Sequence, residues 1–197
     1  MSPPPENSPT NTAVLHAEYS NDERRFLLKL AHDAVDAAVS QRELSLQLCP
    51  AHLSEPRGAF TTLYREGELR GCVGYVLPVV PLYRTVAESA KAAALDDIRF
   101  DPVTPGEVPQ LEVVLSILSP LVPIRPEQVE VGRHGLVVTL GLGRGLLLPQ
   151  VPIEHGWDRE TFLSQTCHKA GLPLDAWQHG ATVEAFIAEV FGDRDVR

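Results

Sequence analysis

Residues 68–75 read Glu-Leu-Arg-Gly-Cys-Val-Gly-Tyr, which places one thiol between two glycines and two residues after an arginine. The composition of this stretch predicts an extended strand, in which side chains alternate between the two faces of a sheet. Arg70, Cys72 and Gly74 are therefore expected to share one face. Glycine inside a strand often marks a place where a ligand or a second backbone comes close. The stretch thus predicts both a strand and a candidate site.

Two interpretations of Cys72 follow from the residues alone. A guanidinium beside a thiol favours the thiolate, which is the nucleophilic form, so Arg70 would activate Cys72. Alternatively, Cys72 is a small apolar residue buried on a tightly packed strand, which is the common environment of a free cysteine. Both interpretations remain open at this level.

Composition narrows the class of protein. With 197 residues, 44% hydrophobic and 22% charged, the chain can form one ordinary globular domain or two small lobes. Three cysteines without a Cys-x-x-Cys spacing argue against a disulfide framework and suggest a reducing compartment. The sequence contains neither a membrane-span candidate nor the apolar core of a signal peptide, so we expect a cytoplasmic protein without membrane contact. A net charge of −9 argues against nucleic-acid binding.

The elements before the cysteine strand are readily predicted. Four prolines among polar residues predict a flexible tail over residues 1–14, followed by a domain over 15–197. The capping box Ser20-x-x-Glu23 predicts the start of an amphipathic helix. Residues 58–64 alternate as a strand does, and a turn at 65–68 would make the cysteine strand the second arm of a hairpin.

The rest of the chain alternates between helix and strand signals. An alanine-rich helix is predicted from Leu82, and its small side chains favour close packing on a sheet. Residues 111–118 are apolar on both faces, as in a central strand. Further strands are predicted at 136–140 and 146–148, and Asp158 can cap a third helix. The final segment, residues 182–191, carries apolar residues at helical spacing, which favours a helix, but an alternating strand is also possible.

Two short polar motifs have alternative interpretations. Cys49-x-x-His52 is half of a metal motif without an obvious second half, and a loop is the simpler prediction. Asp97 and Arg99, at the end of the alanine-rich helix, are either a salt-bridged helix exit or part of a charged cleft wall.

Several ordered motifs resemble one known family. Residues 69–74 resemble the Leu-Arg-Gly-Cys-Ile-Gly signature of the AMMECR1 family, which includes component A of the AmmeMemoRadiSam system. Residues 97–100 resemble its Asp-Pro-Arg-Phe motif, with isoleucine in place of proline. Further matches follow in order at residues 111–120, 132–136, 148–151, 154–158, 169–172 and at Trp177. The resemblance extends from about Glu23 to about Gly192, nearly the whole chain.

The resemblance implies an α+β fold in two lobes, with a mostly antiparallel or mixed sheet and flanking helices. The signature strand would lie near the cleft between the lobes, and the final segment at 182–191 would be a strand rather than a helix. The family also implies a Memo-like protein and a radical-SAM enzyme as partners. It implies no particular reaction, and the cofactor stays unknown.

Three functional hypotheses remain from these residues. In an enzyme-like cleft, Cys72 would be a nucleophile or redox group and His134 or His155 a proton shuttle. In a non-catalytic binding component, Arg70 and Arg99 would hold an anionic small molecule or a partner protein. The other candidate ligand-binding residues are Gly71, Gly74 and Glu154. A metal held by Cys72 with His134, His155 or Glu154 lacks a tight ligand spacing, so no metal site is predicted.

Overall fold

The computed structural model describes residues 18–45 and 49–196. Within these ranges the chain forms four α-helices and eight β-strands. The helices are α1 (Asn21–Val39), α2 (Leu82–Leu95), α3 (Val151–Glu154) and α4 (Arg159–Lys169). The strands are β1 (Ala59–Arg65), β2 (Glu68–Tyr75), β3 (Leu111–Leu118), β4 (Val122–Pro123), β5 (Gly135–Leu140), β6 (Gly143–Leu147), β7 (Thr182–Phe186) and β8 (Ala188–Gly192). The tail expected over residues 1–14 lies outside the described residues.

The strands form two antiparallel sheets of four, in the orders β2-β1-β3-β8 and β4-β7-β5-β6. Helices α1 and α2 cover one face of the first sheet, and together they form what we call the first lobe. Helix α4 packs against β5 and β6, and with the second sheet it forms the second lobe. The predicted two-lobed α+β fold is confirmed, as is the central position of β3 between β1 and β8.

The predicted capping box begins α1. Ser20 Oγ accepts a hydrogen bond from the Glu23 amide at 3.3 Å, and the Glu23 carboxylate accepts one from the Ser20 amide at 2.9 Å. Both bonds satisfy amides that the first helical turn leaves without partners. The buried stripe of α1 then forms the core of the first lobe with α2 and the inner face of the first sheet.

Replacing Ser20 by alanine removes the hydroxyl half of this capping box. We expect the free energy of unfolding to fall by about 1 kcal/mol, the usual contribution of a serine N-cap. Urea denaturation monitored by circular dichroism measures the change. The matched control is Ser40→Ala at the other end of the helix, where the exposed hydroxyl donates to Asp36 of the same helix. An equal loss in both variants would contradict a specific role for the cap.

The β1–β2 hairpin contains one β-bulge, which the sequence pattern did not predict. Arg65 pairs with Glu68 across the turn, but the register shifts between Leu63 and Tyr64. Arg70 is the extra residue at this shift, and beyond it Cys72 pairs with Thr62. Bulges redirect side chains locally, so strict alternation does not hold across Arg70.

A separate buried cluster connects the two lobes. It consists of Leu118 from β3, Val137 from β5 and Phe186 from β7, and Phe60 and Val76 of the first lobe pack against it. The two sheets are therefore joined through side chains as well as through the chain. No helix in the described ranges is both long and apolar enough to cross a bilayer.

The segment 182–191 is two strands, so the helix predicted from apolar spacing is wrong and the strand implied by the family resemblance is correct. Strand β7 pairs with β5 in the second lobe, and β8 pairs with β3 in the first. The chain passes from one sheet to the other at Ile187, which lies between the two strands. This interruption shifts the alternation and places apolar residues at spacings that resemble those of a helix.

Candidate functional site

Cys72 lies on the face of the first sheet that the helices leave uncovered. Its chain neighbour Gly71 faces α2, and Cys72 points the opposite way and is partly buried. Thr62 is directly opposite on β1, and its Oγ1 donates a hydrogen bond to Cys72 Sγ at 3.3 Å. The thiol is therefore neither sealed in an apolar core nor without a polar partner.

Asp97 and Arg99, which we call the clamp, close the outer edge of β2 at Cys72. Asp97 Oδ2 accepts the Cys72 amide at 2.8 Å, and Arg99 Nη2 lies 3.4 Å from the Cys72 carbonyl oxygen to which it donates. The two side chains also bind each other, with Arg99 Nε and Nη2 at 2.9 and 2.7 Å from the Asp97 oxygens. The clamp thus occupies the position of a neighbouring strand.

The electrostatics of the clamp hold both side chains in their charged forms. Hydrogen bonds from the Arg99 side chain lower the pKa of Asp97 well below its usual range, and the amides of Cys72 and Arg99 contribute to the same effect despite burial. The pKa of Arg99 is raised by the hydrogen bond to Asp97 and also by interaction with Cys72. The side chain of Asp97 is 6% exposed and that of Arg99 53%, so the guanidinium extends from a buried carboxylate toward solvent.

The strand pattern predicts that Arg70 lies beside the Cys72 thiol, but in the structure its side chain binds other residues. Its Nε and Nη2 bind the two oxygens of Glu107 at 2.9 and 3.3 Å, and its Nη1 donates to the carbonyl of Asp101 at 2.9 Å. Glu107 also accepts bonds from Arg65 and Thr104, and the bond from Arg70 is the main reason that its pKa is lowered. Of the two arginines proposed for the site, Arg99 is therefore the one associated with Cys72.

The two predicted histidines have partners elsewhere. His134 Nδ1 accepts the Glu130 amide at 3.0 Å, and its ring lines a cavity of about 560 Å³ formed largely by the β4 and β7 region. Burial lowers the pKa of His134, which favours the neutral ring. His155 stacks on Trp157 with ring centroids 4.6 Å apart. Among the described residues, neither histidine forms a hydrogen bond or ion pair with Cys72.

The glycines and Glu154 have different surroundings. A Cβ on Gly71 would lie 2.1 Å from the Ala93 carbonyl oxygen, so this glycine permits close packing of α2 rather than access for a ligand. A Cβ on Gly74 would lie 2.3 Å from the Phe60 ring, on the face that carries Cys72. Glu154 ends α3 in the second lobe and is exposed. Gly74 is thus the predicted glycine that borders the thiol.

The half motif Cys49-x-x-His52 belongs to a structural contact. His52 Nδ1 lies 2.8 Å from a carboxylate oxygen of Glu23, and the ring stacks on Tyr19 with centroids 5.1 Å apart. Burial raises the pKa of Cys49. Within the described ranges, no group of three or more His, Cys, Asp or Glu side chains is arranged to hold a metal ion.

Comparison with known proteins identifies the family. The AMMECR1 family model matches residues 28–191, most of the chain and both lobes. The chain belongs to the AMMECR1 family. AMMECR1 relatives in archaea include a protein of Thermococcus gammatolerans, 44% identical over 180 residues that cover 84% of this chain and 88% of the relative. Another is a protein of Methanothermobacter thermautotrophicus, 42% identical over 187 residues that cover 89% and 97%.

A solved structure supports the same assignment. The crystal structure of an uncharacterized protein from Pyrococcus horikoshii is 39% identical and superposes with a TM-score of 0.77. The match covers 92% of this chain and 96% of that one. The two-lobed architecture of this AMMECR1 chain is therefore shared with a relative of known structure.

Sequence reasoning missed Thr62 and Glu107. Thr62 could have been found only by knowing the bulge, because an unshifted two-residue hairpin at 66–67 would place Thr61 opposite Cys72. Glu107 lies in a proline-rich loop far from β2 in sequence, where a single carboxylate carries no recognisable signal. Asp97 and Arg99 were predicted as a salt bridge or as part of a cleft wall, and they form the salt bridge beside the thiol.

Proposed function

We propose that Cys72 is a reactive thiolate which, together with Arg99, forms a site for an anionic small molecule that carries an electrophilic group. The observation that carries this proposal is the setting of the partly buried thiol: the Thr62 hydroxyl donates to the sulfur, the clamp binds the main chain of Cys72, and Arg99 also interacts with the Cys72 side chain. A positive charge and a hydroxyl donor both favour thiolate over thiol. No histidine base is required, because these two groups would activate the sulfur electrostatically.

Arg99 provides the binding half of the proposed site. Its Nε and Nη2 are engaged by Asp97 and the Cys72 carbonyl, the guanidinium also interacts with the Cys72 side chain, and the Arg99 side chain is 53% exposed. An anionic group bound there would lie next to the sulfur. Arg70, by contrast, has its three nitrogens committed to Glu107 and Asp101, and it contributes to the shape of the strand rather than to a ligand.

Site-resolved alkylation tests the activation of Cys72. Protein is treated with limiting iodoacetamide between about pH 6 and pH 10, a range that spans the titration of an ordinary thiol, and each cysteine is quantified by mass spectrometry. At neutral pH we expect Cys72 to react roughly tenfold faster than Cys49, because the thiolate is the reacting form and burial raises the pKa of Cys49. Cys167, which is fully buried, serves as an unreactive internal reference.

The Arg99→Gln variant tests whether the charge of Arg99, rather than access of the reagent to the sulfur, sets the labelling rate of Cys72. At neutral pH this variant should label Cys72 about three- to tenfold more slowly, because a neutral side chain at position 99 no longer favours the thiolate. At about pH 10 the two proteins should label at similar rates, because an ordinary thiol is then ionised in both. Arg133→Gln, which removes an exposed arginine of the second lobe, is the matched control. Unchanged labelling in Arg99→Gln would refute activation by this guanidinium.

The alternative function is a non-catalytic binding component, and the 53% exposure of Arg99 favours it as a second candidate. In that case Arg99 would hold an anionic ligand or partner and the sulfur would only shape the site. Inorganic phosphate serves as a probe, with binding followed by NMR. Phosphate binding that survives Cys72→Ser and disappears in Arg99→Gln supports an anion site. If Cys72 also reacts with iodoacetamide like an ordinary thiol, the non-catalytic binding component becomes the better-supported function.

The family resemblance extends the proposal to partners. A Memo-like protein and a radical-SAM enzyme are the proposed partners of this site, and the cytoplasm is its proposed location. Co-purification of the untagged chain with either partner type, produced in the same cell, tests the association. The same experiment is repeated with Arg99→Gln. If the wild type and the variant lose the complex to the same extent at high dilution, the partner contacts a surface away from Cys72.

A further inference from the structure

The chain after Cys72 is unusually apolar for an exposed segment. Residues 73–82 contain no charged side chain. Four large apolar residues within it are exposed, namely Tyr75 (45%), Leu77 (46%), Val79 (75%) and Val80 (38%). Single exposed apolar residues are common on protein surfaces, but a continuous group of them marks an interaction site or a liability to aggregate.

The outer edge of β2 is covered at Cys72 and open at Gly74, two residues further along the strand. β2 is the end strand of its sheet, and the Cys72 amide points outward to Asp97. Since the register is regular beyond the bulge, the amide and carbonyl of Gly74 point to the same outer side. Among the described residues no side chain or loop bonds to them, in contrast to the clamp at Cys72. Unpaired main-chain groups on an edge strand can accept another strand.

A groove of about 500 Å³ lies beside the open edge. Its walls are the exposed apolar residues of the segment together with Gly74, Val76 and Thr85, and Glu88 of α2 is the only charged residue among the described residues that line it. Glu88 is exposed and forms no ion pair with any described residue. An occupant that is apolar and carries a basic residue would complement both features.

We propose that the open edge at Gly74 and this groove bind an extended, apolar segment of a partner protein that carries a lysine or arginine opposite Glu88. Main-chain hydrogen bonds to Gly74 would align the segment, and apolar side chains at alternate positions would fill the groove. This surface is independent of the chemistry proposed for Cys72.

A second copy of the chain is a poorer occupant. A two-fold antiparallel pair centred on Gly74 would place Val76 of one copy beside Cys72 of the other. That position is already filled by Asp97 and Arg99, which replace a neighbouring strand.

A short synthetic strand tests the proposal on the intact protein. The probe is fluorescein-labelled Val-Lys-Val-Thr-Val-amide, and binding is followed by fluorescence anisotropy. We expect a Kd on the order of 10⁻⁴ M, and at least about tenfold weaker binding when the alternate amides of the probe are N-methylated. Val79→Glu should weaken binding to a similar extent, whereas Leu142→Glu, at a fully exposed position of the second lobe, should not.

A charge exchange adds specificity to the test. The Glu88→Lys variant should bind the lysine probe more weakly than the wild type does, and should prefer a probe with glutamate in place of lysine. Three results would overturn the proposal. These are no binding at a protein concentration of about 1 mM, binding that N-methylation leaves unchanged, or a concentration-dependent dimer that Val79→Glu abolishes.

Discussion

Replacing Glu107 by glutamine is expected to lower the free energy of unfolding by about 3 kcal/mol, because removal of one partner of a mostly buried ion pair leaves the other charge uncompensated. The side chains of Glu107 and Arg70 are 14% and 16% exposed, so water can replace little of the lost carboxylate. Arg65 and Thr104 lose part of their bonding in the same variant. Urea denaturation at neutral pH measures the change.

The effect of Glu107→Gln should depend on pH in a defined direction. The pKa of Glu107 is lowered in the folded protein, chiefly by the bond from Arg70. Its stabilisation is therefore fully present above the unfolded pKa of about 4.3 and is lost as the pH falls toward the folded value. The stability curves of wild type and variant should run parallel near neutrality and converge below about pH 4.

An exposed ion pair provides the matched control. Glu130→Gln breaks the pair with Arg133, whose side chains are 58% and 47% exposed, and should cost less than about 1 kcal/mol. If Glu107→Gln were equally mild, or if its effect persisted unchanged in acid, then the Arg70–Glu107 pair would not hold the loop after α2 against β2.

Helices α1, α2 and α4 and the hairpin could be predicted because their signals are local. The Ser20 capping box and the turn at 66–67 act over a few residues, and the structure contains both as expected. The prediction of a helix over 182–191 was wrong because the segment crosses from one sheet to the other. Its pairing with β5 and β3 is decided by residues distant in sequence. Periodicity does not reveal such an exchange.

The candidate site was predicted in part. Cys72 could be singled out from its neighbours, but the arginine beside it depends on the bulge at Arg70. A one-residue register shift redirects that side chain to Glu107 and leaves the thiol to Arg99, which comes from a different element. Contacts between elements of this kind follow from tertiary packing, for which one sequence carries no periodic signal.

Gly71→Ala is expected to destabilise the first lobe by at least about 2–3 kcal/mol, the cost of forcing extra volume into a well-packed interface. The added Cβ would lie 2.1 Å from the Ala93 carbonyl oxygen, which belongs to the backbone of α2 and not to a flexible side chain. Relief requires α2 to move away from β2, and the contacts of Ala90 and Ala94 with the core would loosen as it does. Thermal and urea unfolding both measure the loss.

Gly106→Ala separates this steric effect from the general effect of removing a glycine. A Cβ on Gly106 meets nothing within 4 Å, and its φ lies outside the left-handed region. That variant should be neutral or slightly more stable, by up to about 1 kcal/mol, because alanine restricts the unfolded chain. A Gly71→Ala protein as stable as Gly106→Ala would mean that α2 does not press against β2. The small residue at position 71 would then require a different explanation, such as the approach of a ligand from the helix side.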